Sequence, residues 1–118
     1  MGEVCTRTDF NIWFAEQVNG YWHNPVALDT LVNGPGDDFY PSLSANGYLY
    51  FTATRKDGIG REDIYLSTFW KGKHNAPVPL DSTVNTKAYE FNAYISPDED
   101  LLIFSSYGRA DGLGGGDL

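Results

Sequence analysis

The chain is poor in the residues that most often carry chemistry. It has one cysteine, Cys5, which cannot form an intramolecular disulfide. A nucleophilic cysteine needs a base held close to it, and Cys5 sits near a terminus, where order is often poor; it is not read as a catalytic thiol. The two histidines, His23 and His74, each lie in a polar, turn-like stretch. Basic residues are scarce and scattered: Lys and Arg number 8 against 16 Asp and Glu, for a net charge of −8. Nucleic-acid binding leaves a basic stripe as its footprint, so nucleic acid and anionic membrane surfaces are poor partners. The acidity itself is read as a solubility device. No window approaches the roughly 18 apolar residues of a membrane-inserted span. Residues 1–20 lack the basic start and apolar run of a secretory signal. There is no Gly-x-Ser-x-Gly elbow and no His-Glu-x-x-His helix. No carboxylate pair stands out for glycoside cleavage. The expectation is a protein without catalysis.

What is present points to β-structure. Aromatics make up 15% of the chain, and Gly 13 with Pro 6 supplies many turns. No stretch longer than about ten residues has a helical apolar period. The dominant feature is an internal repeat. Pro25-Val26-Ala27-Leu28-Asp29 returns as Pro77-Val78-Pro79-Leu80-Asp81, and Val32-Asn33 as Val84-Asn85, at an offset of 52. Asp38-Phe39 returns as Glu90-Phe91 at 52, and Leu49-Tyr50-Phe51-Thr52 as Leu102-Ile103-Phe104-Ser105 at 53. Asp57-Gly58 and Asp63-Ile64 return as Asp111-Gly112 and Asp117-Leu118 at 54. The slips fall in turns, where insertions are cheap. Residues 1–118 therefore read as one domain, with a first repeat over 9–62 and a second over 63–118.

The unit reads as short strands. Tyr48–Thr54 is an aromatic and β-branched run introduced by the Asn46-Gly47 turn signal. Asp63–Phe69 is a second. Phe39–Leu43 is a third, its proline placing it at a strand start or bulge. A fourth falls around Trp70–Val78. Four such strands per unit predict an all-β chain of β-propeller blades, each four-stranded and antiparallel, about two to the chain.

The segment Asp38-Phe39-Tyr40-Pro41-Ser42-Leu43-Ser44-Ala45-Asn46-Gly47-Tyr48-Leu49-Tyr50-Phe51 resembles the TolB-like, WD40-like propeller repeat. That repeat has an acidic residue, then Pro-Ser, an apolar residue, Ser-Pro-Asp-Gly and an apolar strand. The second copy, from Glu90 to Asp98, keeps Ser96-Pro97-Asp98 but has Ala93 for the first proline and Glu99 for the glycine. Gly58–Tyr65 and Gly114–Leu118 also look like the family. The resemblance covers about residues 9–118 and implies the fold far more than the function. The family includes envelope proteins that bind partners, propellers joined to outer-membrane anchors, and propellers that gate peptidases. It suggests the periplasm or cell envelope, although no export signal is seen.

The phase of the repeat bears on assembly. Phe39–Leu43 with Leu49–Thr54 forms an inner pair, and Asp63–Phe69 with Trp70–Val78 an outer pair. By the same offsets, Asn11–Glu16 and Tyr21–Val26 are an outer pair without an inner one. Phe91–Ile95 and Leu101–Ser106 are an inner pair without an outer one. The halves could complete each other between chains, as a head-to-tail ring. A homo-oligomer is expected, with a trimer of six blades favoured; the alternative is a fragment of a longer propeller.

Asp38 and Glu90 recur before the inner strand, where they could grip a cationic group or bond backbone amides. Tyr40, Arg55 and Arg61 lie at or near loops expected at one end of the channel, where binding residues collect. Asp57, Asp63, Asp111 and Asp117 surround Gly-rich turns and could hold Ca²⁺; their spacing departs from the EF-hand, and turn-forming side-chain bonds are the preferred reading. Trp13, Tyr21, Trp22 and Trp70 invite sugar stacking, but packing between blades is favoured. The leading expectation is a protein- or peptide-binding module. The alternatives are a glycan-binding or carbohydrate-active propeller and a structural piece with no ligand of its own.

Overall fold

The structure, a computed structural model, describes residues 9–118, so Cys5 lies outside the described residues. It is all-β, with several antiparallel sheets and no helix among the described residues. The chain opens with four two-residue strands: β1 (Trp13–Phe14), β2 (Gln17–Val18), β3 (Tyr21–Trp22) and β4 (Val26–Ala27). They form one long hairpin, β1 on β4 and β2 on β3. Its tip, Asn19-Gly20, has φ of 53° and 82°. Two left-handed residues make the turn whose twist matches paired strands.

A four-stranded antiparallel sheet follows, built from β5 (Asp38–Leu43), β6 (Leu49–Ala53), β7 (Asp63–Ser67) and β10 (Val78–Pro79) in the order β10-β7-β6-β5. Between β7 and β10 stands a short pair, β8 (Phe69–Trp70) and β9 (Lys73–His74). The strand expected over Trp70–Val78 is therefore divided. The reason is local: Lys71-Gly72, at φ 51° and 80°, turns the chain as Asn19-Gly20 does one repeat earlier. The last sheet is β11 (Tyr89–Ile95), β12 (Leu102–Tyr107) and β13 (Gly116–Asp117). The described residues do not close into a ring.

The two repeats share one hydrogen-bond framework. Buried Asn33 accepts from the Ile12 amide at 2.7 Å and donates to the carbonyls of Ile12 and Leu28 at 3.0 and 2.9 Å. Asn85 accepts from Ile64 N at 2.8 Å and donates to the carbonyls of Ile64 and Leu80 at 3.0 and 2.8 Å. One amide side chain thus joins a strand to the turn that follows its partner. Asp29 and Asp81 shape that turn by accepting from Leu31 N and Thr83 N.

The core lies on both faces of β6, because successive side chains on a strand point opposite ways. Leu49, Phe51 and Ala53 join Tyr65 and pack on Ile12 and Val32 from the N-terminal hairpin region. Tyr50 joins Ile64 and packs on Ala93 and Ile95 of β11. Burying Phe51 or Ile64 contributes roughly 1.5–3 kcal/mol each.

Candidate functional site

Most of the acidic residues singled out in the sequence are committed to the framework. Asp38 is buried, and its Oδ1 accepts from Arg55 Nη2 at 2.9 Å. Arg55 also donates to the Val32 carbonyl, and its guanidinium lies over the rings of Phe51 and Tyr65, 5.5 and 5.3 Å from their centroids. One repeat later Arg109 donates to the Val84 carbonyl at 3.1 Å and stands 3.9 Å from Glu90. Fully buried Glu90 accepts from Thr86 N at 2.7 Å, Thr86 Oγ1 at 2.8 Å and Ser106 Oγ at 3.0 Å. Asp38, Arg55 and Glu90 therefore fasten the ends of the inner strands.

The loop carboxylates are likewise engaged. Asp63 accepts from Gly60 N, and burial pushes its carboxyl above the usual range against the pull of the Gly60 and Ile59 amides. Asp117 accepts from Leu113 N and Gly114 N at 2.8 and 3.2 Å. The glycines in these loops leave room for that: a Cβ on Gly58 would overlap Asp63, and one on Gly112 would lie 2.8 Å from Asp117 Oδ2. Asp57 accepts from Tyr65 OH at 2.8 Å. Asp111 takes Arg109 Nε at 3.0 Å, which holds its carboxyl below the usual range. Among the described residues no three His, Cys, Asp or Glu side chains gather to hold a metal.

Tyr40 and Arg61 face outward instead. Tyr40 sits in β5 at a register shift between Phe39 and Ser42, with φ 53°. Asn92 occupies the same place in β11, between Phe91 and Tyr94, with φ 55°. A bulge re-aims a side chain and leaves one residue outside the ladder. A left-handed bulky residue is uncommon and costs on the order of 1–2 kcal/mol. At this bulge the Tyr40 ring lies in a row of aromatics. Ring centroids run Phe10 to Phe39 at 5.9 Å, Phe39 to Tyr40 at 4.9 Å, and Tyr40 to Phe91 at 6.3 Å. Phe10 is held there by its amide, which donates to Asp37 Oδ1 at 3.0 Å, and by its carbonyl, which accepts from Asp38 N at 2.9 Å.

Acidic groups adjoin the row. The Glu62 carboxyl lies above its usual range, first through burial and then through the charge of Asp37. Arg61 lies 6.0 Å above the Tyr89 ring. Tyr40 and Arg61 are expected from the sequence, whereas Phe10, Phe39, Phe91, Asp37 and Glu62 come to this surface only through the fold. Asp38-Phe39 and Glu90-Phe91 stand out in the sequence as repeat landmarks, and their aromatic halves carry the signal. Trp13, Tyr21, Trp22 and Trp70 are all exposed in the single chain.

Compared with family models, with curated proteins and with solved structures, the chain matches none.

Proposed function

We propose that the chain is a β-propeller repeat module, of the TolB-like and WD40-like kind its sequence resembles, that binds a protein partner by holding an extended basic peptide on the Phe10–Phe39–Tyr40–Phe91 row. In this reading the four-stranded sheet is one blade and the flanking sheets are parts of its neighbours. The shared Asn33 and Asn85 framework supports that equivalence.

The observation that carries the binding reading is the aromatic row on its strained bulge. Phe10 and Tyr40 are exposed and Phe39 and Phe91 half-buried beside them, and aromatic residues are enriched where protein interfaces form. Ring faces attract Lys and Arg side chains by roughly 0.5–1 kcal/mol at exposed sites. Asp37 and Glu62 add negative charge beside them, in a chain of net charge −8. Arg61 sits at the margin and would disfavour a basic residue there, setting the peptide's direction.

An array of basic and acidic peptides probed with the wild type and with Tyr40→Ala tests the reading. Basic peptides should bind, and the variant should bind about tenfold more weakly. Equal retention of both proteins, or no preference for basic peptides, overturns it. A glycan-binding reading is favoured by Trp22 and Trp70, exposed on β3 and β8 beside the hairpin turns. Glycan-array signal lost with Trp22→Ala or Trp70→Ala would replace the peptide reading.

A further inference from the structure

Exposed residues at each end of the molecule have buried counterparts one repeat away. Trp13 is 60% exposed and its counterpart Tyr65 0%; Leu43 is 60% exposed and its counterpart Ile95 4%. At the other end Ile103 is 44% exposed, and its counterpart Tyr50 is 8%. Inside the chain Tyr50 packs with Ala93 and Ile95. Each open face therefore lacks the group that the opposite end displays.

The unpaired edges follow the same rule. β7 is bonded on both sides, by β6 and β10, whereas among the described residues its counterpart β1 pairs with β4 alone. β12 has β11 on one side; on the other, among the described residues, β13 pairs with Ser106 and Tyr107 and nothing pairs with 102–105. Between the N-terminal hairpin and β5 lies a groove of 740 Å³ whose lining includes Ile12, Trp13, Leu28, Pro41, Leu43 and Leu49.

We infer that this groove takes the β11–β12 hairpin of a second copy of this chain. Shifting the β6–β7 register by one repeat places Phe104 opposite Trp13, Ile103 opposite Phe14 and Leu102 opposite Ala15 of the neighbour. In that register Asn11 of one copy takes the place that Asp117 of the other holds opposite Ser106, so the β12–β13 pairing opens where the copies meet. Ile103 then covers Leu43 as Tyr50 covers Ile95. The chain's own interface is the template, which is why the occupant is a second copy and not an unrelated protein. The contact joins two different surfaces, so it repeats head to tail until a ring closes. Three copies would make six four-stranded units, within the roughly 4–8 that close a propeller. The inference rests on the repeat equivalence, so loss of peptide binding and loss of assembly are separate readouts.

Light scattering coupled to size exclusion tests it, with circular dichroism to check folding. The wild type should run as a discrete multiple of 13.1 kDa, three-fold for the six-unit ring. Leu43→Arg spoils the groove and Ile103→Arg spoils the hairpin; both sites are exposed, and each variant alone should be a folded monomer. Mixed together they should form a complex of two chains and no more, because one keeps its hairpin and the other its groove. A wild type that stays monomeric at every concentration overturns the inference, as does a mixture that stays monomeric. A monomer whose Trp13 is shielded from a fluorescence quencher would assign the groove to a segment of the same chain and also overturn it.

Discussion

The two repeats hold the same framework in different surroundings. In the second, Asn85 ties down a strand of the four-stranded sheet, and Ile95 is covered by Tyr50. In the first, Asn33 ties down a hairpin with a bare edge, and Leu43 has nothing over it among the described residues. The bonds within a unit are the same, while burial depends on which neighbour is present. The repeat therefore encodes the unit locally, and the stacking of units decides how much each position contributes.

Replacing the tethers should give the largest effect. Asn85→Ala leaves the Ile64 amide and the Leu80 carbonyl without that partner, at about 1–3 kcal/mol for each group that water cannot reach, while the Ile64 carbonyl keeps the Leu80 amide. Urea unfolding should show a loss of about 3 kcal/mol or more. Asn33→Ala should cost less, because β1 has one free edge and water can enter. Equal losses would mean the two tethers are energetically alike despite their surroundings.

Truncating Ile95 and Leu43 sharpens the contrast. Ile95→Ala should cost about 2–4 kcal/mol, since it empties a filled core site. Leu43→Ala should change the stability of the isolated chain by under about 0.5 kcal/mol while lowering the assembled mass. Comparable losses for both in dilute solution would remove the distinction.

The two bulges offer a smaller test. Tyr40→Gly releases a bulky side chain from φ 53°, and should leave stability unchanged or raise it by up to about 1 kcal/mol while peptide binding falls. Asn92→Gly should change stability little, because asparagine tolerates this conformation. Thermal melts of both variants check the pair.

The smallest expected effect concerns Glu62. Its folded carboxyl titrates above its unfolded value, so its charge opposes folding at neutral pH. That penalty is absent below the ordinary glutamate range and grows as pH rises through the raised value. Glu62→Gln should gain slightly in stability at neutral pH, the gain kept small by the partial exposure of the group, and flatten the acid side of the stability curve. Weaker peptide binding in the same variant would show that this strain serves the site.

Much of this fold is legible in the sequence because its signals are local. Asn46-Gly47 closes β5 onto β6, and recurrent Val32-Asn33 and Val84-Asn85 mark the tethers, though not what they bind. The division of the fourth strand is harder to see, since Lys71-Gly72 lacks the usual asparagine. The candidate site is less legible still. Asp38, Arg55 and Glu90 look like a binding set in one dimension; only packing brings Arg55 onto the Val32 carbonyl and consumes the charges. Phe10 reaches the aromatic row from 29 residues before Phe39, and no spacing rule joins them.

The most direct measurement is cross-linking in the expected register between copies, using Phe14→Cys with Ile103→Cys in a Cys5→Ser background. Residues directly opposite on paired strands have Cβ atoms roughly 4.5–5.5 Å apart, close enough for a disulfide after small adjustment. Mild oxidation should yield reducible, covalently linked chains of the same multiple seen by light scattering. A control pairing Ile103→Cys with Val18→Cys should link far less. Absence of linked chains from an assembled sample, or equal yields from both pairs, would contradict the mating of the two open ends.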